Sequence, residues 1–268
     1  MLKDITLGQY FPGNSIAHKL DPRTKILLVT LYIIALFSAK GWMGYAVMAV
    51  TLAACVKISH VGLRALVRGL KPLVFIIAFT GILNMFFTPD THYLWEWGIL
   101  RVSVKGIENA LFMVIRIMLL VMGTFLMTYT TSPIRLTDGL ESLLNPLKKI
   151  HVPVHELAMM MAIALRFIPT LIEETDKIMS AQKARGADFD SGNIFQKAKA
   201  LVPILVPLFI SAFRRADELA TAMECRCYHG GEGRTKLHVL KYQRRDYVAL
   251  AGGMVILALV VVLRRLGI

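Results

Sequence analysis

Long apolar runs separated by short, charge-bearing connections dominate the chain. They lie at about residues 24–39 and 42–58, joined by Lys40 and Gly41, then at 72–88, 107–129 and 246–263. Apolar runs of this length, without an alternating or one-faced polar pattern, predict helices immersed in lipid. The first two are short against the ~17–25 residues that cross a bilayer, which implies membrane thinning or anchoring at the interface. Asp21 followed by Pro22 reads as the cap and first turn of the first helix. Between the runs, 57–71 holds Lys57, Arg64, Arg68 and Lys71 with no acid, whereas 89–106 mixes Asp90 and Glu96 with Tyr93, Trp95 and Trp97. Lys and Arg collect on the cytoplasmic side and Trp and Tyr at the headgroup level, so the first loop faces inward and the second outward. The N-terminus and residues 131–245 then lie inside and Lys40 outside. Arg264 and Arg265 emerge outside, against the same rule. The expected fold is all-α: about four membrane helices in 1–130, a cytoplasmic or interfacial region of long amphipathic helices in 131–245, and a last membrane helix in 246–268.

Two further apolar stretches, 154–167 and 201–213, are broken by or run into Pro169, Pro203 and Pro207. They read as interfacial helices, with a fully spanning helical hairpin as the alternative. Neither arrangement is expected to separate Arg185 from Arg226 across the membrane. Each feeds an amphipathic segment. In the first, Ile168, Leu171, Ile172, Ile178 and Met179 recur near the helical period; in the second, Phe209, Ala212, Phe213, Ala216, Leu219, Ala220 and Met223 do. Superposing Arg185 on Arg226 aligns Asp176 with Asp217, Ile178 with Leu219 and Ala181 with Ala222. Each segment closes on an arginine between small residues, Ala184-Arg185-Gly186 and Cys225-Arg226-Cys227. Gly186 suits a left-handed helix stop, which would project Arg185 from the last turn. A guanidinium there can complement the negative helix end, or enter a carboxylate-bearing groove in a partner, where its planar fork binds two-pronged and stays charged.

Composition sharpens this picture. Of 268 residues 56% are apolar and the mean hydropathy is +0.57, above the roughly 45–50% apolar content of soluble domains. The formal charge of +13 would suggest nucleic acid in a soluble protein, but inner loops of a membrane protein account for it. No nucleic-acid partner is expected. Three cysteines, Cys55, Cys225 and Cys227, make no disulfide framework, and the polar, turn-rich first 25 residues lack the form of a cleavable signal.

Motifs for catalysis are missing. Gly230 to Lys236 has the wrong spacing for a phosphate-cradling loop, and His155-Glu156 lacks a second histidine because position 159 is Met159. Cys225, Cys227 and His229 offer three soft ligands to zinc without an evident fourth, and Arg226 between them opposes a cation. No cofactor is expected on this chain. Arg116, inside an apolar run, and Arg166, beside Pro169, are candidate intramembrane charges, structural or functional. Glu108 shares a face with Arg116 but lies about 12 Å along the axis, too far to pair with it. The methionines Met113, Met118, Met122, Met127 and Met159 to Met161 are core filler or an adaptable surface for several partners.

Taken together, Gly8-Gln9-Tyr10, Pro12-Gly13, Ser15, His18, Leu20-Asp21-Pro22-Arg23, Lys25, Thr130-Thr131-Ser132-Pro133, Arg166-Phe167-Ile168-Pro169, the run from Ala181 to Gly186, Pro207-Leu208-Phe209 and the run from Ala222 to Arg226 resemble the transmembrane T component (EcfT/CbiQ family) of energy-coupling factor (ECF) transporters. The likeness covers nearly the whole chain. It implies an ABC-class importer of vitamins or other micronutrients in which the T component is not itself catalytic. In such a complex it joins a membrane-embedded, substrate-binding S component to two ATPase subunits of the EcfA type, which hold the ATP and magnesium. The resemblance also implies that the arginine triplets end coupling helices docking on those subunits: Ala184, Arg185 and Gly186 match the first motif in full, while Cys225 and Cys227 replace alanine and glycine around Arg226. A T subunit dedicated to one substrate, such as a metal ion or biotin, is the near alternative, and an integral membrane enzyme using polar groups near Arg116 and Arg166 the remote one.

Overall fold

The computed structural model describes residues 10–88, 93–97, 100–187, 189, 193–230 and 239–266. The chain divides into two compact units, one built from Gly8–Leu140 with Leu240–Ile268, the other from Glu141–Val239.

The first unit is a helical bundle. Its elements are α1 (Ile16–Lys19), α2 (Pro22–Ser38), α3 (Gly41–Ser59), α4 (Leu63–Leu70), a 3-10 turn (Lys71–Leu73), α5 (Val74–Phe87), a hairpin of β1 (Tyr93–Trp97) and β2 (Leu100–Ser103), α6 (Val104–Thr130), α7 (Pro133–Leu144, which runs past the boundary) and, from the far end of the chain, α10 (Arg244–Leu266). As expected, Asp21 caps α2: its Oδ1 accepts the Arg23 N–H at 2.9 Å, and Pro22 opens the first turn. Ser103 caps α6 in the same manner, accepting from Gly106 N–H at 2.9 Å.

The basic loop expected at 57–71 is in part a helix. In α4, Leu66 and Leu70 turn inward while Arg64 and Arg68 stay exposed, a one-faced pattern that a count of charges conceals. The aromatic-rich loop forms a short antiparallel hairpin whose backbone register pairs Glu96 with Arg101 and Trp97 with Leu100; Asp90 lies outside the described residues.

Leu36, Met48, Leu66 and Val260 are fully buried at the centre of the bundle, with Tyr45, Leu119 and Tyr129 around them. The helices approach closely where side chains are absent. A Cβ on Gly106 would lie 2.7 Å from the Met85 carbonyl oxygen, and one on Gly253 the same distance from Leu28 Cδ2, as expected where packing and not water exclusion holds helices together. Around this core the outer faces stay apolar: Phe75, Ile76, Phe79 and Ile82 on α5 and Val255 and Val262 on α10 are all exposed. Such a belt suits hydrocarbon as its solvent.

Among the described residues five helical stretches are long and apolar enough to cross a membrane: Gly41–Ser59, Leu63–Phe87, Val104–Thr130, Val154–Ala184 and Arg244–Leu266. The fold is an all-α polytopic membrane protein, as expected. Four of the five coincide with the anticipated runs. The fifth differs, because α2 with its 17 residues reaches only about 26 Å, whereas the segment read as interfacial belongs to a helix of 31.

The second unit consists of a 3-10 turn (Asn145–Ile150), α8 (Val154–Ala184) and α9 (Ile194–Glu224). Both long helices continue through prolines, Pro169 in α8 and Pro203 and Pro207 in α9. The apolar stretches and amphipathic stretches are therefore single helices.

Candidate functional site

Three contacts fix how α8 and α9 pair. Tyr228 Oη donates to Met159 Sδ at 3.2 Å, Arg215 Nη2 to Glu174 Oε2 at 2.9 Å, and Gln182 Nε2 to the Pro203 carbonyl at 3.4 Å. As the residue number rises on α8 it falls on α9, so the pair is antiparallel. The last contact has a backbone cause. Pro207 has no N–H, so the carbonyl four residues earlier, that of Pro203, loses its helical donor, and Gln182 of the other helix supplies one.

Arg185 and Arg226 consequently stand at opposite ends of the pair. Gln182 is level with Pro203, and the 23 residues from Pro203 to Arg226 amount to about 35 Å of helix. This corrects the expectation that a spanning hairpin would leave both arginines on one side. Each does terminate its own helix, but antiparallel pairing puts the C-terminus of one beside the N-terminus of the other. A hairpin crossing the membrane would hold them at opposite faces; one lying along the surface would hold them at one face, far apart.

The two helix ends are built alike. After α8, Ala187 N–H bonds the Gln182 carbonyl and Gly186 N–H that of Lys183, both at 3.0 Å, with Gly186 in the left-handed region at φ 86°. These are the paired 6→1 and 5→2 bonds of a Schellman stop. After α9, Tyr228 N–H bonds Met223 at 3.1 Å and Cys227 N–H bonds Glu224 at 2.8 Å, with Cys227 at φ 54°. Every participant is displaced by the 41 positions that superpose Arg185 on Arg226. Cys227 takes the left-handed conformation that Gly186 adopts without strain, so the missing glycine does not abolish the stop. An L-residue there costs roughly 1–2 kcal/mol.

Ala184, Arg185, Gly186, Cys225, Arg226 and Cys227 are all exposed, and the three cysteines are free thiols. Their surroundings differ: Lys183 precedes the first arginine, whereas Glu224 precedes the second. Among the described residues no three His, Cys, Asp or Glu side chains converge as a metal set would.

The remaining candidates lie elsewhere. Arg116, half-buried on α6, donates through Nε to Tyr45 Oη at 2.9 Å, and its guanidinium lies 5.7 Å from the ring centres of both Phe37 and Tyr45. Neutral aromatic partners hold the charge, and Glu108 is not among them. Arg166 is exposed on α8. Two buried charges escaped the sequence reading. Asp246, 1% exposed, accepts from Asp21 N–H at 2.9 Å and Gln243 N–H at 2.8 Å, fastening α10 to the start of α2. Lys25 donates to the Thr130 carbonyl at 2.8 Å and Thr131 Oγ1 at 3.0 Å. No local pattern joins groups separated by more than a hundred residues, although Lys25 and Thr130-Thr131 both stood among the quoted family residues.

Comparison with known proteins agrees with this architecture. The family model described as cobalt transport protein (CbiQ) matches residues 13–237. The energy-coupling factor transporter transmembrane protein EcfT of Ruminiclostridium cellulolyticum is 55% identical over 246 residues, 92% of each chain. That of Clostridium kluyveri is 54% identical over 265 residues, 98% of each, and that of Bacillus subtilis 46% identical over 264, 98% of this chain and all of the other. Matching that family model and these relatives over most of its length, this chain belongs to the CbiQ/EcfT family of energy-coupling factor transporter transmembrane proteins.

Proposed function

We propose that this chain is the non-catalytic, energy-transducing subunit of an ATP-driven importer of vitamins or other micronutrients. Arg185 and Arg226 each insert into a groove on one of two ABC ATPase subunits, while the membrane bundle engages a separate substrate-binding S component. The observation that carries this reading is the pair of equivalent Schellman ends about 35 Å apart. One pair of helices thus offers one cation to each of two partners. ATP-driven closure of the two subunits would move their grooves together, and the antiparallel helices would convert that motion into a tilt passed to the membrane segments.

This function requires both arginines on the cytoplasmic side, with α8 and α9 along the membrane surface. Charge supports that placement. The later half of α8 carries Glu173, Glu174, Asp176, Lys177 and Lys183, and charges in the hydrocarbon layer are costly.

Free thiols flanking Arg226 supply the test. In a Cys55→Ser background, a membrane-impermeant maleimide should label Cys225 and Cys227 only in inside-out vesicles, and, with all three native cysteines replaced by serine, a cysteine introduced by Lys183→Cys should behave the same. Bifunctional thiol reagents should then capture an ATPase subunit, and Arg185→Glu with Arg226→Glu should remove both capture and uptake. Labelling of the two ends from opposite sides, or full uptake by the double variant, would refute the proposal.

A further inference from the structure

A groove of about 600 Å³ opens between α2, α3, α6 and α10 of the membrane bundle, within the ~300–1,000 Å³ typical of ligand sites. Its walls are apolar, formed by Leu28, Leu31, Tyr32, Met127 and Ile256 among others, and on α10 it runs over the open face of Gly252, beside Gly253 on which Leu28 packs. One end is different. Lys25, Arg244 and Arg245 line it together.

The charge at that end is unbalanced. Lys25 is 7% exposed, yet it forms no ion pair with a described residue and its two hydrogen bonds go to the neutral oxygens of Thr130 and Thr131. An ammonium has three donors, so one remains for an occupant of the groove. Arg244 and Arg245 are exposed and likewise form no ion pair with a described residue. The nearby carboxylates are engaged: Asp246 caps the backbone of Asp21 and Gln243, and Asp21 pairs with Arg23 at 3.0 Å.

Dimensions identify the occupant. From Arg245 to Ile256 the groove follows eleven residues of α10, about 16 Å, which is the depth of one leaflet of a hydrocarbon core about 30 Å thick. A cationic mouth at headgroup level above an apolar channel one leaflet deep matches a single lipid molecule. We infer that the bundle holds one glycerophospholipid with a net negative headgroup, its phosphate against Lys25, Arg244 and Arg245 and an acyl chain along Gly252. The site is independent of the docking ends on α8 and α9, and so is its test. A cationic pocket between membrane helices is suited to an anionic headgroup, each Lys or Arg near the surface contributing about 1 kcal/mol, or about fivefold in affinity.

Native mass spectrometry of the full chain, purified in mild detergent with equimolar dioleoyl phosphatidylglycerol and dioleoyl phosphatidylcholine, tests this. One phosphatidylglycerol should survive per chain under activation that strips loosely bound lipid. Arg244→Gln and Arg245→Gln should each lower the preference for phosphatidylglycerol about fivefold. Both side chains are exposed and support no described contact, so the fold should be unaffected. Gly252→Leu acts differently. A Cβ there meets nothing within 4 Å, so the added side chain starts in open space, and it should occupy the channel and reduce retention of both lipids while leaving melting temperature intact. Equal retention of the two lipids by the wild-type chain would overturn the inference. So would an undiminished preference in the double arginine variant, or undiminished lipid on the Gly252→Leu chain.

Discussion

The equivalence of the two arginine-tipped ends makes a paired prediction with opposite signs. Gly186 sits at φ 86° in open space, since a Cβ built there meets nothing within 4 Å. Gly186→Ala therefore introduces no clash; its cost is the left-handed conformation, about 1–2 kcal/mol, less the roughly 0.5–1 kcal/mol of backbone entropy that glycine loses and alanine does not, or about 0.5–1 kcal/mol net. That energy falls on the local stop formed by the Gly186–Lys183 and Ala187–Gln182 bonds. It should raise the opening constant there about two- to fivefold. Cys227 already bears this strain at φ 54°, so Cys227→Gly should relieve it. The gain is offset by the roughly 0.5–1 kcal/mol of extra backbone entropy that glycine loses on folding, leaving about 0.5–1 kcal/mol net and two- to fivefold greater protection. Amide hydrogen exchange on the full chain in detergent reads both, through the Ala187 and Tyr228 N–H groups that close the two motifs. Exchange at Ala187 should quicken in the first variant and exchange at Tyr228 should slow in the second. If the two substitutions shift exchange in the same direction, or Gly186→Ala leaves Ala187 unchanged, the left-handed positions do not play equivalent parts and the reasoning fails.

Other perturbations probe the bundle. Asp246→Ala should strip the acceptors from two backbone N–H groups at a site 1% exposed and cost about 3 kcal/mol or more, at about 1.5–3 per charge-assisted bond; Asp246→Asn, which keeps one acceptor oxygen, should lose distinctly less in thermal unfolding. Equal losses would mean that the carboxylate does not clamp α10 to α2. Tyr45→Phe should remove the 2.9 Å bond to Arg116 while keeping the ring beneath the guanidinium, for a loss of about 1 kcal/mol in detergent stability; an unchanged melting curve would show that the aromatic faces alone suffice.

How much of this could be read along the chain depends on the range of the forces involved. Membrane residence follows from composition, because a run such as 107–129 is too apolar for any other solvent. Caps such as Asp21-Pro22 and the stop at Gly186 are equally legible, since each is decided within one helical turn. So is the repeat that relates Arg185 to Arg226, which appears at the same displacement of 41 residues in the backbone bonds of both stops. The amphipathic nature of α4 is local too, since Leu66 and Leu70 share one face and Arg64 and Arg68 the other, although its charges by themselves resemble those of a loop.

Tertiary structure decided what depends on partners distant in sequence. That Cys227 can stand in for glycine is a balance between local strain and the bonds closing the helix, and residue type alone leaves that balance open. The direction of α9 against α8 rests on pairs such as Arg215 with Glu174, and on a carbonyl that Pro207 leaves for Gln182 to satisfy. Antiparallel packing carries Arg185 and Arg226 to opposite ends of the pair, because two helices in close succession along the chain can lie side by side over their lengths only by running in contrary directions.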